Sequence, residues 1–176
     1  MLQIFLLGRN ASESVRYHFM RHRGPIGAVG KVIFVCTGNI CRSAFAEKYV
    51  KAGIRTEVPI IESCGLVVEV PSPPPHAAVD AAGRIGLDLT DHISRSIEYC
   101  DMETADLILA MEFGQYLKLI RRLPHKRHQI RLLREFSPFP ENLLCNINDP
   151  FGLPAKHFEK CFAQIRRALA TIMALI

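Results

Sequence analysis

Cys36-Thr37-Gly38-Asn39-Ile40-Cys41-Arg42-Ser43 places a thiol and a guanidinium six positions apart. The apolar run Val32-Ile33-Phe34-Val35 precedes this segment, and a helical pattern follows it. A loop between a strand and a helix can turn its backbone N–H groups inward as an anion-binding nest. The helix start adds unpaired donors and the positive end of its dipole, which stabilise a bound anion and a cysteine thiolate alike. Arg42 offers a planar fork matched to two phosphoryl oxygens. Ser43 is placed to donate to the Cys36 sulfur when that thiolate leaves. Gly38 supplies backbone freedom, and Asn39 tolerates left-handed geometry while its amide ties the loop to other segments. The chemistry these types can do is attack on the phosphorus of a bound phosphate, with Cys36 as nucleophile.

A leaving oxygen needs a proton, and Asp149-Pro150 is a candidate source. Proline biases the aspartate backbone toward an extended form, which can fix the carboxyl on a loop. Such an acid would protonate the ester oxygen and afterwards activate water. An Asp-Pro pair is also an ordinary turn, and spacing alone does not bring it to the loop.

The elements that must position these groups alternate. Lys31–Cys36 reads as a buried strand, Ser43–Ala52 as a helix and 58–62 as a second strand. A Pro71–Pro75 loop leads into a helix at His76–Gly86. Ala105–Met111 is a third strand, Glu112–Leu123 a helix, and Gln129–Phe136 contains a fourth strand. Ser137–Asn148 is a long loop. Ala155–Leu175 is an amphipathic helix with Phe158, Phe162, Ile165, Leu169 and Ile172 at helical spacing, a core stripe. This alternation implies a four-stranded parallel α/β sheet with helices on both faces, in flavodoxin-like order, and the phosphate-binding loop after the first strand. Residues 1–30 read as an N-terminal extension of unassigned role, with a short helix at Ser12–Met20, a linker at Gly24–Gly30 and Met20 as an alternative initiator. Residues 31–176 form the domain proper.

The segment from Val32 to Ser43, with Asp149-Pro150 near the other end, resembles the signature of the low-molecular-weight protein tyrosine phosphatases, bacterial type. Ile61–Gly65, Gly86–Arg95 and Asp106–Glu112 resemble further landmarks in family order. The resemblance covers residues 31–176. It implies a protein-tyrosine-phosphatase that works through a cysteinyl-phosphate, with Cys36 as nucleophile, Arg42 as phosphate clamp and Asp149 as general acid and base. It implies substrate contacts from Thr37, Gly38, Asn39, Ile40, Cys41, Ser43 and Phe151, and support of Asn39 by Ser63 and His92. Cys41 matches the second loop cysteine, which can form a reversible disulfide with Cys36. No cofactor and no metal are implied, since Arg42 and the loop amides can supply the electrostatic stabilisation.

The family's variation bears on substrate. Phe151 is followed by Gly152 where many members have a second aromatic, and Leu66-Val67-Val68 has none. This resembles bacterial members paired with tyrosine kinases of polysaccharide export, so the expected partner is a tyrosine-phosphorylated protein, with such an autokinase as the specific choice. Ile40 stands where the related protein arginine phosphatases carry threonine. That activity is the alternative. An arsenate reductase of similar fold needs two further, closely spaced cysteines, and Cys64 and Cys100 lie far apart in the chain. A third reading is a structural zinc module of Cys36, Cys41, His157 and Cys161, which leaves Arg42 and Ser43 without a purpose.

Composition sets outer bounds. The chain has 176 residues, 49% hydrophobic and 22% charged, enough for one sizeable core. No apolar run approaches the ~20 residues that span a bilayer, so no stable membrane insertion is expected. Met1–Leu7 is apolar but short and is not preceded by basic residues, unlike a signal peptide. Six irregularly spaced cysteines suit a reducing, cytoplasmic setting better than a disulfide framework. The charge of +5 comes partly from Arg16, Arg21 and Arg23, and from Arg121, Arg122, Lys126, Arg127 and Arg131. These patches attract acidic partners or are solvated surface. The second holds no aromatic platform, so nucleic acid is not an expected partner.

Overall fold

A computed structural model describes residues 2–22, 24–54 and 59–176. Arg23, Val58 and Met1, used above in a basic patch, a strand start and the N-terminal segment, lie outside the described residues. In chain order the elements are α1 (Leu2–Met20), β1 (Lys31–Cys36), α2 (Arg42–Gly53), β2 (Ile60–Gly65), α3 (His76–Gly83), β3 (Leu107–Ala110), α4 (Phe113–Arg122), β4 (Ile130–Leu132) and α5 (Ala155–Met173). The strands form one parallel sheet in the order β2-β1-β3-β4.

Val32, Ile33, Phe34 and Val35 are all fully buried. A run of β-branched and aromatic residues without alternation is what a central strand covered on both faces requires. Its side chains divide by parity. Val32 and Phe34 join Phe45 of α2, Ala78 of α3 and the α5 stripe on one face of the sheet. Ile33 and Val35 join Phe113 and Tyr116 of α4, with Tyr17 of α1, on the other. All five α5 stripe residues are at most 2% exposed. Because β1 has β2 on one side and β3 on the other, the chain turns in opposite directions around it, and a crevice opens at its carboxyl end.

Several boundaries moved. β2 continues to Gly65, because Ser63, Cys64 and Gly65 pair with Phe34, Val35 and Cys36. α3 stops at Gly83, and the chain turns through Gly86 at φ 76°. α1 is much longer than the Ser12–Met20 helix and is built into the core. Tyr17 is fully buried, edge-on to Tyr116 at 5.1 Å between ring centroids. Its hydroxyl donates to Glu135 and accepts the Leu132 amide at 2.8 Å. Leu132 belongs to β4, one of the two edge strands.

The second basic patch is largely absorbed by the protein. Arg122 forks onto Glu98 at 2.8 and 2.6 Å, and Arg131 meets Glu135 at 2.6 Å. Lys126 is buried on the Ala105 carbonyl, and Arg127 donates to that of Met20. In the first patch, Arg21 pairs with Glu135 and Arg16 lies over the Phe113 ring. No helix among the described residues is long and apolar enough to cross a membrane.

Candidate active site

Cys36 ends β1, and the backbone then loops through residues 37–41 into α2. Its Sγ accepts the Asn39 amide at 3.2 Å and lies 3.0 Å from Ser43 Oγ. Asn39 sits at φ 56°, the left-handed region that asparagine tolerates. Gly38 does not adopt positive φ, so the freedom expected of it is supplied by Asn39 instead. The glycine that the loop does require is Gly65. A Cβ there would stand 2.8 Å from the Thr37 carbonyl oxygen and 2.9 Å from the Gly38 carbonyl carbon. That closeness lets Leu66 and Val67 donate amide hydrogens to the carbonyls of Cys36 and Thr37, both at 2.9 Å.

Arg42 is 1% exposed at the first turn of α2. Its Nη2 donates to Asp149 Oδ2 at 2.5 Å, and its Nη1 to the Ile147 carbonyl at 3.0 Å and toward Glu112 Oε2 at 3.2 Å. Burial works against its charge, but Cys36, Glu112 and Asp149 outweigh that and raise its pKa above the ordinary value. Arg42 Nε is buried without a partner, a donor that a phosphoryl oxygen can satisfy. Asp149 accepts the Phe151 amide on Oδ1 at 3.2 Å, which orients its carboxyl. Asp149 and Phe151 close a pocket with Cys36, Thr37, Gly38, Ile40, Cys41 and Arg42. Beside it a groove runs along Ile40, Val67, Val68, Glu69 and Val70.

Beneath the loop lies a directed relay. Ser63 Oγ donates to Glu47 Oε2 at 2.5 Å, because a carboxylate only accepts. The Ser63 oxygen therefore accepts from Asn39 Nδ2 at 2.7 Å. The other hydrogen of that amide goes to Ser43 Oγ at 2.9 Å. Ser43 is thus left to donate its own hydrogen, with Cys36 Sγ at 3.0 Å as the nearer acceptor and the Cys64 carbonyl at 3.4 Å as the farther one. Asn39 Oδ1 accepts the Arg95 amide at 2.8 Å, which fixes the amide's orientation. His92 Nε2 lies 2.8 Å from the Asn39 carbonyl. A carbonyl only accepts, so His92 Nε2–H donates; burial pulls the His92 pKa below its usual value.

The residues singled out from sequence converge here: Cys36 to Ser43, Asp149 and Phe151 around the pocket, Ser63 and His92 beneath it. Three contributors were missed. Glu47 carried no motif beyond its place on a helix. Glu112 and Gln115 form the capping box of α4, a pattern legible as a helix start. In the fold Gln115 Nε2 also donates to Thr37 Oγ1 at 3.2 Å, so the cap braces the anion loop.

Cys41 lines the pocket beside Cys36, whereas Cys64, Cys100, Cys145 and Cys161 do not. Burial drives the Cys41 thiol strongly up and Cys161 up to about 12. Cys64 and Cys100 are neighbours despite their sequence separation, and Cys100 Sγ donates to the Ser63 carbonyl at 3.8 Å. Each thiol is the first influence on the other, raising Cys64 and lowering Cys100. Both lie in the cluster on the face opposite that of Cys36. Among the described residues, no group of three His, Cys, Asp or Glu side chains is arranged to hold a metal ion, which removes the zinc reading of Cys36, Cys41, His157 and Cys161.

The fold and the pocket define a class: a parallel α/β protein built to hold an oxyanion against a cysteine thiol. Residues 31–176 match the family model for low molecular weight phosphotyrosine protein phosphatase, and the chain belongs to that family. It is 31% identical over 163 residues to a low molecular weight protein-tyrosine-phosphatase of Streptomyces coelicolor, covering 83% of this chain and 93% of the relative. It is 28% identical over 138 residues to a probable phosphatase of the same kind, EpsP of Ralstonia solanacearum, covering 78% and 90%. The crystal structure of the T. tengcongensis low molecular weight protein tyrosine phosphatase superposes with a TM-score of 0.73 at 28% identity, over 83% of this chain and 99% of that one.

Proposed function

We propose that this protein hydrolyses phosphotyrosine in a protein substrate through a phosphocysteine on Cys36. The observation that carries this is the pocket itself, with the Cys36 sulfur at its base and Arg42 and Asp149 in its walls. An entering phosphoryl group competes with Asp149 for Arg42 and gains the loop amides. The Cys36 thiolate attacks phosphorus, the P–O bond to the aryl group breaks, and Asp149 protonates the departing oxygen. The resulting Asp149 carboxylate takes a proton from water. The water oxygen then attacks phosphorus, the P–S bond breaks, and the thiolate returns. The Ser43 hydroxyl, directed by the relay, stabilises the departing thiolate.

Phe151 is 59% exposed and is the aromatic wall of the pocket. The groove beside it holds Ile40, Val67, Val68 and Val70 and no aromatic residue, which suits a tyrosyl ring held on one side. The resemblance to bacterial members paired with tyrosine kinases of polysaccharide export makes such an autokinase the partner to test. Ile40 in the pocket wall, where the related arginine phosphatases carry threonine, favours this reading over arginine phosphatase activity.

Turnover of phosphotyrosine, phosphoserine and phosphoarginine peptides tests the assignment. Phosphotyrosine is expected to be preferred, Cys36→Ser to abolish release of phosphate, and Asp149→Ala to slow it about 100-fold or more. A preference for phosphoarginine, or full activity of Cys36→Ser, overturns it.

A further inference from the structure

α1 lies outside the family match, which begins at residue 31. It nevertheless grips the chain just before Asp149. Ser14 is 3% exposed, and its Oγ accepts the Cys145 amide at 2.9 Å while donating to the Asn10 carbonyl at 2.5 Å. Glu13 Oε2 accepts from Asn146 Nδ2 at 2.5 Å. The other end of that amide, Oδ1, accepts the amide of Phe113, the first residue of α4, at 2.7 Å. Asn146 thus spans the gap between α1 and α4, and its own carbonyl accepts from Arg134 at 2.6 Å. The next residue, Ile147, donates its amide to the Met111 carbonyl at 2.8 Å and offers its carbonyl to Arg42 at 3.0 Å. Asp149 follows two residues later.

Cys145, Asn146 and Ile147 are each at most 1% exposed. A buried amide such as that of Cys145 needs a partner, and Ser14 is the one it has. Without Ser14 and Glu13, this stretch would have to shift to recover its hydrogen bonds. The shift would pass directly to the carbonyl that aims Arg42 and to the loop that holds Asp149. Tyr17 anchors the same helix at β4, away from this loop.

We infer that Ser14 and Glu13 are positioning residues for the reaction: through Cys145 and Asn146 they hold the Asp149 segment and Arg42 in register with the anion loop. This rests on the reading of Asp149 as the proton donor. The fully held acid makes turnover insensitive to the leaving group, whereas a displaced acid exposes that dependence.

The experiment measures kcat/KM, which reports the steps up to departure of the phenol and not the later phosphocysteine breakdown that Asp149 also serves, on aryl phosphates whose phenols span a range of pKa. Ser14→Ala and Glu13→Ala are each expected to lose about tenfold on phenyl phosphate and much less on p-nitrophenyl phosphate, a fraction of what a whole general acid contributes. Ser14→Thr, which keeps the hydroxyl, restores the flat series. Tyr17→Phe lowers Tm and leaves the series flat, since its hydroxyl serves β4. If Ser14→Ala does not fold, Glu13→Ala, altered at a partly exposed side chain, carries the test. Equal losses across the series, or a series that stays flat in both variants, overturn the inference. Asp149→Asn separates the two readings: if it fails to produce a leaving-group dependence, the acid assignment falls. If it does produce one and the α1 variants do not, the positioning role alone falls.

Discussion

At the residue scale, the hydrogens beneath the anion loop run in one direction because one group can only accept. Glu47 sets Ser63, Ser63 sets Asn39, and Asn39 sets Ser43. Glu47→Ala frees Ser63 to turn, and the order down to Cys36 is lost. The expected cost is about one hydrogen bond of net worth, hence roughly three- to tenfold in kcat. On the role proposed for Ser43 at the leaving thiolate, the loss should fall on breakdown of the phosphocysteine. Rapid-quench measurement of a larger fraction of trapped phosphoenzyme in Glu47→Ala checks this; an unchanged fraction with unchanged kcat counts against the relay. Cys36, Arg42 and Ser43 were legible in the sequence because their spacing within one loop is itself the geometry. Glu47 was not, because a helical glutamate has no local signature and acquires its role only where α2 passes β2.

At the element scale, strands and helices were readable from buried runs and periodicity, while their ends were not. β2 was cut short at Glu62 because Ser63 resembles the end of an apolar run; its pairing with β1 is a tertiary fact. The same blindness hid Gly65, whose requirement is another segment's backbone and not its own φ. Gly65→Ala must push the Thr37–Gly38 backbone outward. Crowding of this kind costs about 1–3 kcal/mol, and here it falls on the anion loop. Titration with inorganic phosphate or vanadate is expected to show weaker binding by at least tenfold, with near-native circular dichroism. Undiminished anion affinity would show that the loop yields freely.

At the scale of the whole molecule, stability should carry a mark of His92. Burial lowers its folded pKa below the unfolded value of about 6.5. The unfolded chain therefore binds the proton first as pH falls, and stability declines from about pH 6.5 down through the depressed folded value. The lowered carboxylates Asp88, Asp91, Glu98 and Asp101 act in a separate window, near and below about pH 4. Thermal melts across pH 5–7 should show this slope in the native chain and a reduced one in His92→Gln, which keeps a donor for Asn39. An identical slope in both assigns it elsewhere. The alternation of elements disclosed the sheet and its crevice, but not what covers the sheet's flank, since α1 is joined to the domain by contacts distant in sequence. Tyr17 takes up the outward amide of Leu132 on the last strand. A bare strand edge is a template for another chain. The N-terminal helix thus covers part of an edge otherwise open to a second copy: a chain begun at Met20 loses Tyr17 as well as the Ser14 and Glu13 hold on the Asp149 segment, and sedimentation at matched concentration is expected to show more edge-to-edge association than in the chain that keeps α1.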